Sequence, residues 1–107
     1  MISIALGKIA VPTPGTPVPI ALTAGQKAQL PPSGLVHKIE AWADPADTGT
    51  SYVKDAAGVT IAPLLQPANG HVEHWHVAHE GNWVNPTALA VDAAVAGNGP
   101  FVTLWVE

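Results

Sequence analysis

The stretch LVHKIEAWA, residues 35–43, decides the fold. Successive side chains on a β-strand point to opposite faces. On a strand, Leu35, His37, Ile39, Ala41 and Ala43 therefore share one face, and Val36, Lys38, Glu40 and Trp42 share the other. The first face is mostly apolar and the second mixes charge with an aromatic ring, as expected of a strand with one dry and one wet side. HVEHWHVAH, residues 71–79, alternates in the same way. Val72, His74, His76 and Ala78 point one way, and His71, Glu73, Trp75, Val77 and His79 point the other.

Outside these two segments the chain is cut by turn signals about every eight to twelve residues, a spacing that suits sandwiches and barrels. AGQK at 24–27, PPSG at 31–34, DPADTG at 44–49, DAAG at 55–58, EGN at 80–82 and GNGP at 97–100 all read as turns. Between them, strands are expected at 2–11 (broken at Gly7), 20–23, 50–54, 59–65 and 101–106. Pro63 cannot donate to a ladder, so 59–65 should be an edge strand or carry a bulge. Residues 86–95 are alanine-rich, but Leu89, Val91, Ala93 and Val95 alternate between the brackets Pro86 and Gly97, which predicts a strand. The prolines of PTPGTPVP, 12–19, place that segment along a sheet edge or crossing between sheets. About eight short antiparallel strands in a single domain spanning 1–107 predict an all-β, jelly-roll-like sandwich.

Composition excludes several function classes. The 107 residues include no cysteine, so disulfides and thiolate zinc sites are absent. Charged residues are only 11% of the chain against about 25% in an average domain. Arginine is missing, and Lys8, Lys27, Lys38 and Lys54 lie far apart. A net charge of −4 without a basic cluster argues against nucleic acid and against anionic lipid as partners. MISIALGKIAVPTPG lacks the features of a secretory signal, and no run of about 18 apolar residues predicts a membrane span. An exterior with so few charges is either simply neutral or destined to be covered by other subunits.

Little in the chain suggests catalysis. Ser3, Ser33 and Ser51 lie in no nucleophile elbow, and Gly97-Asn98-Gly99 precedes a strand where a phosphate loop would precede a helix. Asp44 and Asp47 sit in a turn, where carboxylates commonly cap backbone amides. His74-x-His76 is the one metal-like pattern, because two imidazoles on one strand face can converge on one ion. With Glu80 it superficially resembles the cupin motif. Ala68 and Thr87 replace the glycines of that motif, however, and no histidine follows His79 to complete a ligand set. No catalytic residue and no cofactor are therefore expected. Trp42, Trp75, Trp83 and Trp105 suit a core or an interface, with a sugar-stacking platform as the alternative.

The order of segments resembles small head proteins of tailed bacteriophages. GTPVPIALTAG, then VHKIEAWADPADTGTSYVKDAAG, then APLLQPANG, then NPTALAVDAAVAGNGPFVTLWVE carry the resemblance. Asp47-Thr48-Gly49 with Tyr52-Val53 matches one turn motif, and Leu65-Gln66-Pro67 matches a loop motif, with Ala68 where glycine is common. The resemblance implies a capsid decoration (cement) protein. Such a chain would be made in the host cytoplasm and found on the virion exterior, bound to the major capsid protein as a dimer or trimer. On this reading residues 1–19 form an extended arm that adds a strand to a neighbour. Ile4, Leu6, Val11, Pro14 and Pro17 would then be contact residues, together with the four tryptophans. The alternatives are a carbohydrate-binding module of a phage head or fibre, a cupin-like metal protein using His74 and His76, and a sandwich domain with another partner.

Overall fold

The computed structural model of the chain describes residues 1–66 and 72–107. Eight strands are found among them: β1 (Ile2–Lys8), β2 (Val18–Pro19), β3 (Lys38–Trp42), β4 (Ser51–Asp55), β5 (Thr60–Leu64), β6 (His74–Ala78), β7 (Leu89–Ala93) and β8 (Phe101–Val106). They form two four-stranded antiparallel sheets, ordered β1-β8-β3-β6 and β2-β7-β4-β5. The pairs β1·β8, β2·β7, β3·β6 and β4·β5 are nested in sequence and alternate between the sheets, while β3·β8 and β4·β7 join the pairs within each sheet. That arrangement is an eight-stranded jelly roll, the all-β sandwich the alternating segments predict.

The shared core is aliphatic. Ile4, Ile39, Ala41, Val102, Leu104 and Val106 from the first sheet meet Val53, Leu64, Val91 and Ala93 from the second. Branched aliphatic side chains suit a pleated surface, and each fully buried Val, Leu or Ile contributes about 1.5–3 kcal/mol. None of the four tryptophans belongs to this buried cluster; Trp75 packs against its margin opposite Ala41.

Several boundaries differ from expectation, each for a local reason. β3 is regular only from Lys38. Val36 is fully buried and forms a separate bridge with Val84, so the alternation breaks at His37. Residues 24–27 form one helical turn, α1 (Ala24–Lys27), because Thr23 and Gln26 make a reciprocal capping box. Pro86–Ala88 is a 3-10 turn capped by Asn85, leaving Leu89–Ala93 as the strand. β5 is an edge strand with a bulge around Ile61, so Pro63 sits where a missing donor is tolerated. The strand expected over 71–79 runs from His74 to Ala78; His71, and the Pro67 and Ala68 positions of the loop motif, lie outside the described residues.

The first nineteen residues are taken up within the chain itself, where an extended arm was expected. β1 pairs with β8, and the ladder continues past Lys8: Ile9 donates to the Pro100 carbonyl and Val11 to that of Asn98. The turn at 12–17 folds back so that Gly15 N–H donates to Asp92 Oδ1 at 3.0 Å. Gly15 has φ +85°, a conformation costly for other residues. Consequently Ile4 and Val11 are core residues and not contact residues, and Leu6 packs against the core. Pro14 is exposed and Pro17 half-buried.

Gly99 marks the tightest approach in the roll. A Cβ there would run into the carbonyl oxygen of Ile9, which belongs to the extended β1·β8 ladder. Gly25, in α1, faces open space. Gly99→Ala is expected to destabilise the chain by about 3 kcal/mol or more, whereas Gly25→Ala is expected to be neutral or stabilising by up to about 1 kcal/mol. Urea denaturation of the two variants measures both, and a wild-type midpoint for Gly99→Ala would contradict the packing described.

Candidate functional site

The outer face of the first sheet gathers the residues with chemical potential. Because Ile39 and Ala41 point into the core, Lys38, Glu40 and Trp42 point out, and the register fixes their neighbours. One row across the sheet reads Lys8, Phe101, Trp42, His74; the next Ala5, Thr103, Glu40, His76; the third Ser3, Trp105, Lys38, Ala78. Trp42 and Phe101 are each 40% exposed. The Trp42 and His74 rings lie with centroids 3.9 Å apart, and His74 stacks on His76 at 5.2 Å.

Glu40 is the polar centre of this face. It is only 9% exposed; Lys38 Nζ approaches Oε1 at 3.2 Å and His74 Nε2 lies 3.0 Å from Oε2. Burial alone would raise its pKa, but the contacts from Lys38 and His74 outweigh burial and lower it. The buried indole Nε1 of Trp105 faces the same carboxylate and helps to lower it, without closing to hydrogen-bond geometry.

The sequence places His74 and His76 together on one face, as the structure does, yet the carboxylate that joins them is Glu40 and not Glu80. Glu80 is exposed in the turn after β6, where its backbone carbonyl contacts His79 Nδ1. Glu40 was out of reach of sequence spacing because it comes from another strand. The available signal was the pairing of two alternating strands that each carry a polar face. Among the described residues no three His, Cys, Asp or Glu side chains are placed to hold a metal ion. Trp75 points inward, Trp105 is half-buried on the outer face, and Trp83 is 68% exposed in the loop beyond β6.

The remaining charges hold the roll together. Lys8 Nζ bridges Asp44 at 2.7 Å and Asp47 at 2.9 Å, and Lys54 Nζ meets Asp92 at 2.7 Å. The two carboxylates raise the Lys8 pKa, and Lys8 together with the Ala46 amide lowers that of Asp44. Burial would raise the Asp92 pKa, but Lys54 and the amides of Ala93 and Gly15 bring it below the usual range. Asp44 also caps the Ala46 amide, as its place in a turn suggests.

No helix among the described residues is long and apolar enough to cross a membrane. Comparison with protein-family models, with curated proteins and with solved structures finds no match for the chain.

These shifts set a pH dependence. Asp44, Asp92 and Glu40 have lower pKa values folded than unfolded, so they stabilise the fold above about pH 4. That contribution is lost as pH falls through their lowered folded values. Lys8, raised above 10.5, acts in the opposite sense: its contribution holds through neutral pH and is lost as pH rises through its folded value. Melting temperature should thus be level around neutrality and fall below about pH 4. Asp92→Asn leaves Lys54 without its anion; it should melt lower at neutral pH and show a shallower acid decline. Thermal denaturation across that range checks both, and an unchanged acid limb in the variant would refute the role given to Asp92.

Proposed function

We propose that this chain is a structural protein of a tailed-bacteriophage virion, a decoration protein that binds the outer surface of the capsid and stabilises the shell. The observation that carries this reading is a strip of exposed aliphatic side chains along the edge of the second sheet. Val59, Ile61 and Leu65, at and around β5, are 61%, 46% and 54% exposed. Among the described residues β5 is an outermost strand, so its edge and these side chains are open to a partner.

The charge pattern supports the same reading. Lys8, Lys38 and Lys54 are each paired with carboxylates of the chain itself, so an already charge-poor exterior keeps few uncompensated charges. Interface centres are depleted in charge in the same way. The segment resemblance to phage head proteins supplies the partner, the major capsid protein, and a dimer or trimer on the shell. The jelly roll is compatible but does not choose among partners, because capsid proteins, lectins and cupins all use it. Contact by β5 side chains takes the place of contact by a free N-terminal arm, since β1 is built into the first sheet. The bulge at Ile61 and the missing donor of Pro63 blunt the β5 edge for ladder pairing, which leaves side-chain packing as its means of contact.

The test is mass spectrometry of purified virions from the phage that encodes the chain, followed by rebinding to heads that lack it. Stoichiometric recovery is expected. Ile61→Asp should weaken rebinding about tenfold or more, as the loss of one buried aliphatic contact predicts. Absence of the chain from virions, or wild-type rebinding by Ile61→Asp, would count decisively against the proposal.

A further inference from the structure

We propose that the outer face of the first sheet binds a short neutral saccharide, with Trp42 and Phe101 as stacking rings and His76 and Thr103 as hydrogen-bonding groups. The inference does not rest on the virion reading, which concerns the edge of the other sheet.

The placement of the tryptophans starts the argument. Aromatic residues usually dominate a core because each buries a large area. Here the core is aliphatic, and Trp42, Trp105 and Phe101 stand on the outside of one sheet. Trp42 and Phe101 are direct neighbours across β3 and β8, both substantially open to solvent. Trp42 is held in place by His74 packed on its other side, so little side-chain freedom is lost when a ligand stacks there.

The polar groups in the next row are positioned as well. Glu40 is fixed by Lys38 and His74, Thr103 is its neighbour on β8, and His76 is its exposed neighbour on β6. A saccharide offers apolar C–H faces to the rings and hydroxyls to these groups, the mixture of aromatic lining and few fixed polar groups that small-ligand sites use. The charges match too: Lys38 and Glu40 neutralise each other, so the face suits an uncharged ligand.

The dimensions of the face fit a short saccharide. From Phe101 to Trp105 the face runs about 13 Å, and its four strands span about 14 Å. That span accommodates two or three sugar rings.

Titration of the isotopically labelled chain with neutral tetrasaccharides of glucose, mannose, xylose and N-acetylglucosamine, followed by NMR, tests the proposal. At least one series should shift the signals of Trp42, Phe101, His76 and Thr103. Trp42→Ala should weaken binding about tenfold, while Trp42→Phe keeps a ring and most of the affinity. Trp83→Ala, beyond the far end of the sheet, should bind as wild type, and the spectrum of each variant shows whether it is folded. No shift with any of the sugars, shifts confined to another surface, or sugar-independent broadening of this face as the chain is concentrated would overturn the proposal, the last by showing that a second copy covers it.

Discussion

The Asp47 side chain is only 2% exposed, and its two oxygens are shared between two distant parts of the chain and the nearby start of β4. Oδ1 accepts from Lys8 at the end of β1, and Oδ2 accepts from the Gly99 amide at 3.0 Å and from the Ser51 hydroxyl at 3.4 Å. A buried carboxylate is costly unless its lone pairs are filled, and these contacts fill them. They also fix the loop after β3 against the first strand, the start of β4 and the turn that leads into β8. Beside it the Asn98 side-chain oxygen accepts from the Thr48 and Gly49 amides at 3.0 and 3.1 Å. This anchored end holds the start of β8 in line with its ladders on β1 and β3, which set the rows of side chains on the outer face.

The parts of the fold legible in the sequence were those that depend on neighbours along the chain. Alternation in 35–43 and 71–79 revealed two strands and their faces, and Pro63 revealed an edge. Asp44 revealed a capped turn. What stayed hidden depended on groups far apart in sequence. Nothing local marks Lys8 as the partner of Asp44 and Asp47, or Asp92 as the group that folds the 12–17 turn back. The exposed-looking prolines of that turn suggested a free arm, whereas β1 and the ladder beyond it bind the segment to β8 along one edge. The candidate site divided in the same way. His74 and His76 shared a face by spacing alone, whereas Glu40 joined them only through the register of β3 and β6.

The molecule thus separates its apolar material by type. Branched aliphatics fill the space between the sheets, and most of the aromatic area lies outside it. Three of the four lysines meet carboxylates of the chain: Lys8 ties a loop to β1, Lys54 joins β4 to β7, and Lys38 meets Glu40 within β3. Two surfaces remain distinctive, the aliphatic edge at β5 and the aromatic face of the first sheet. They belong to different sheets, so occupation of one need not disturb the other.

The nesting of the strand pairs also dictates how the chain can reach this state. Only β4 and β5 are joined by a short turn, closed by the Asp55 and Val59 backbone groups, so theirs is the one pairing with a small loop-closure cost. Each pair outward from it, β3·β6, then β2·β7, then β1·β8, brings together segments progressively farther apart. Such non-local pairing predicts slow folding for a chain of this size, with the loop-closure cost rising from the middle of the chain toward its ends. Asp47 lies immediately beside that hairpin, but its partners Lys8 and Gly99 belong to the outermost pair. The full set of contacts to this carboxylate therefore needs the costliest pairing, and its enclosure marks the closing of the roll.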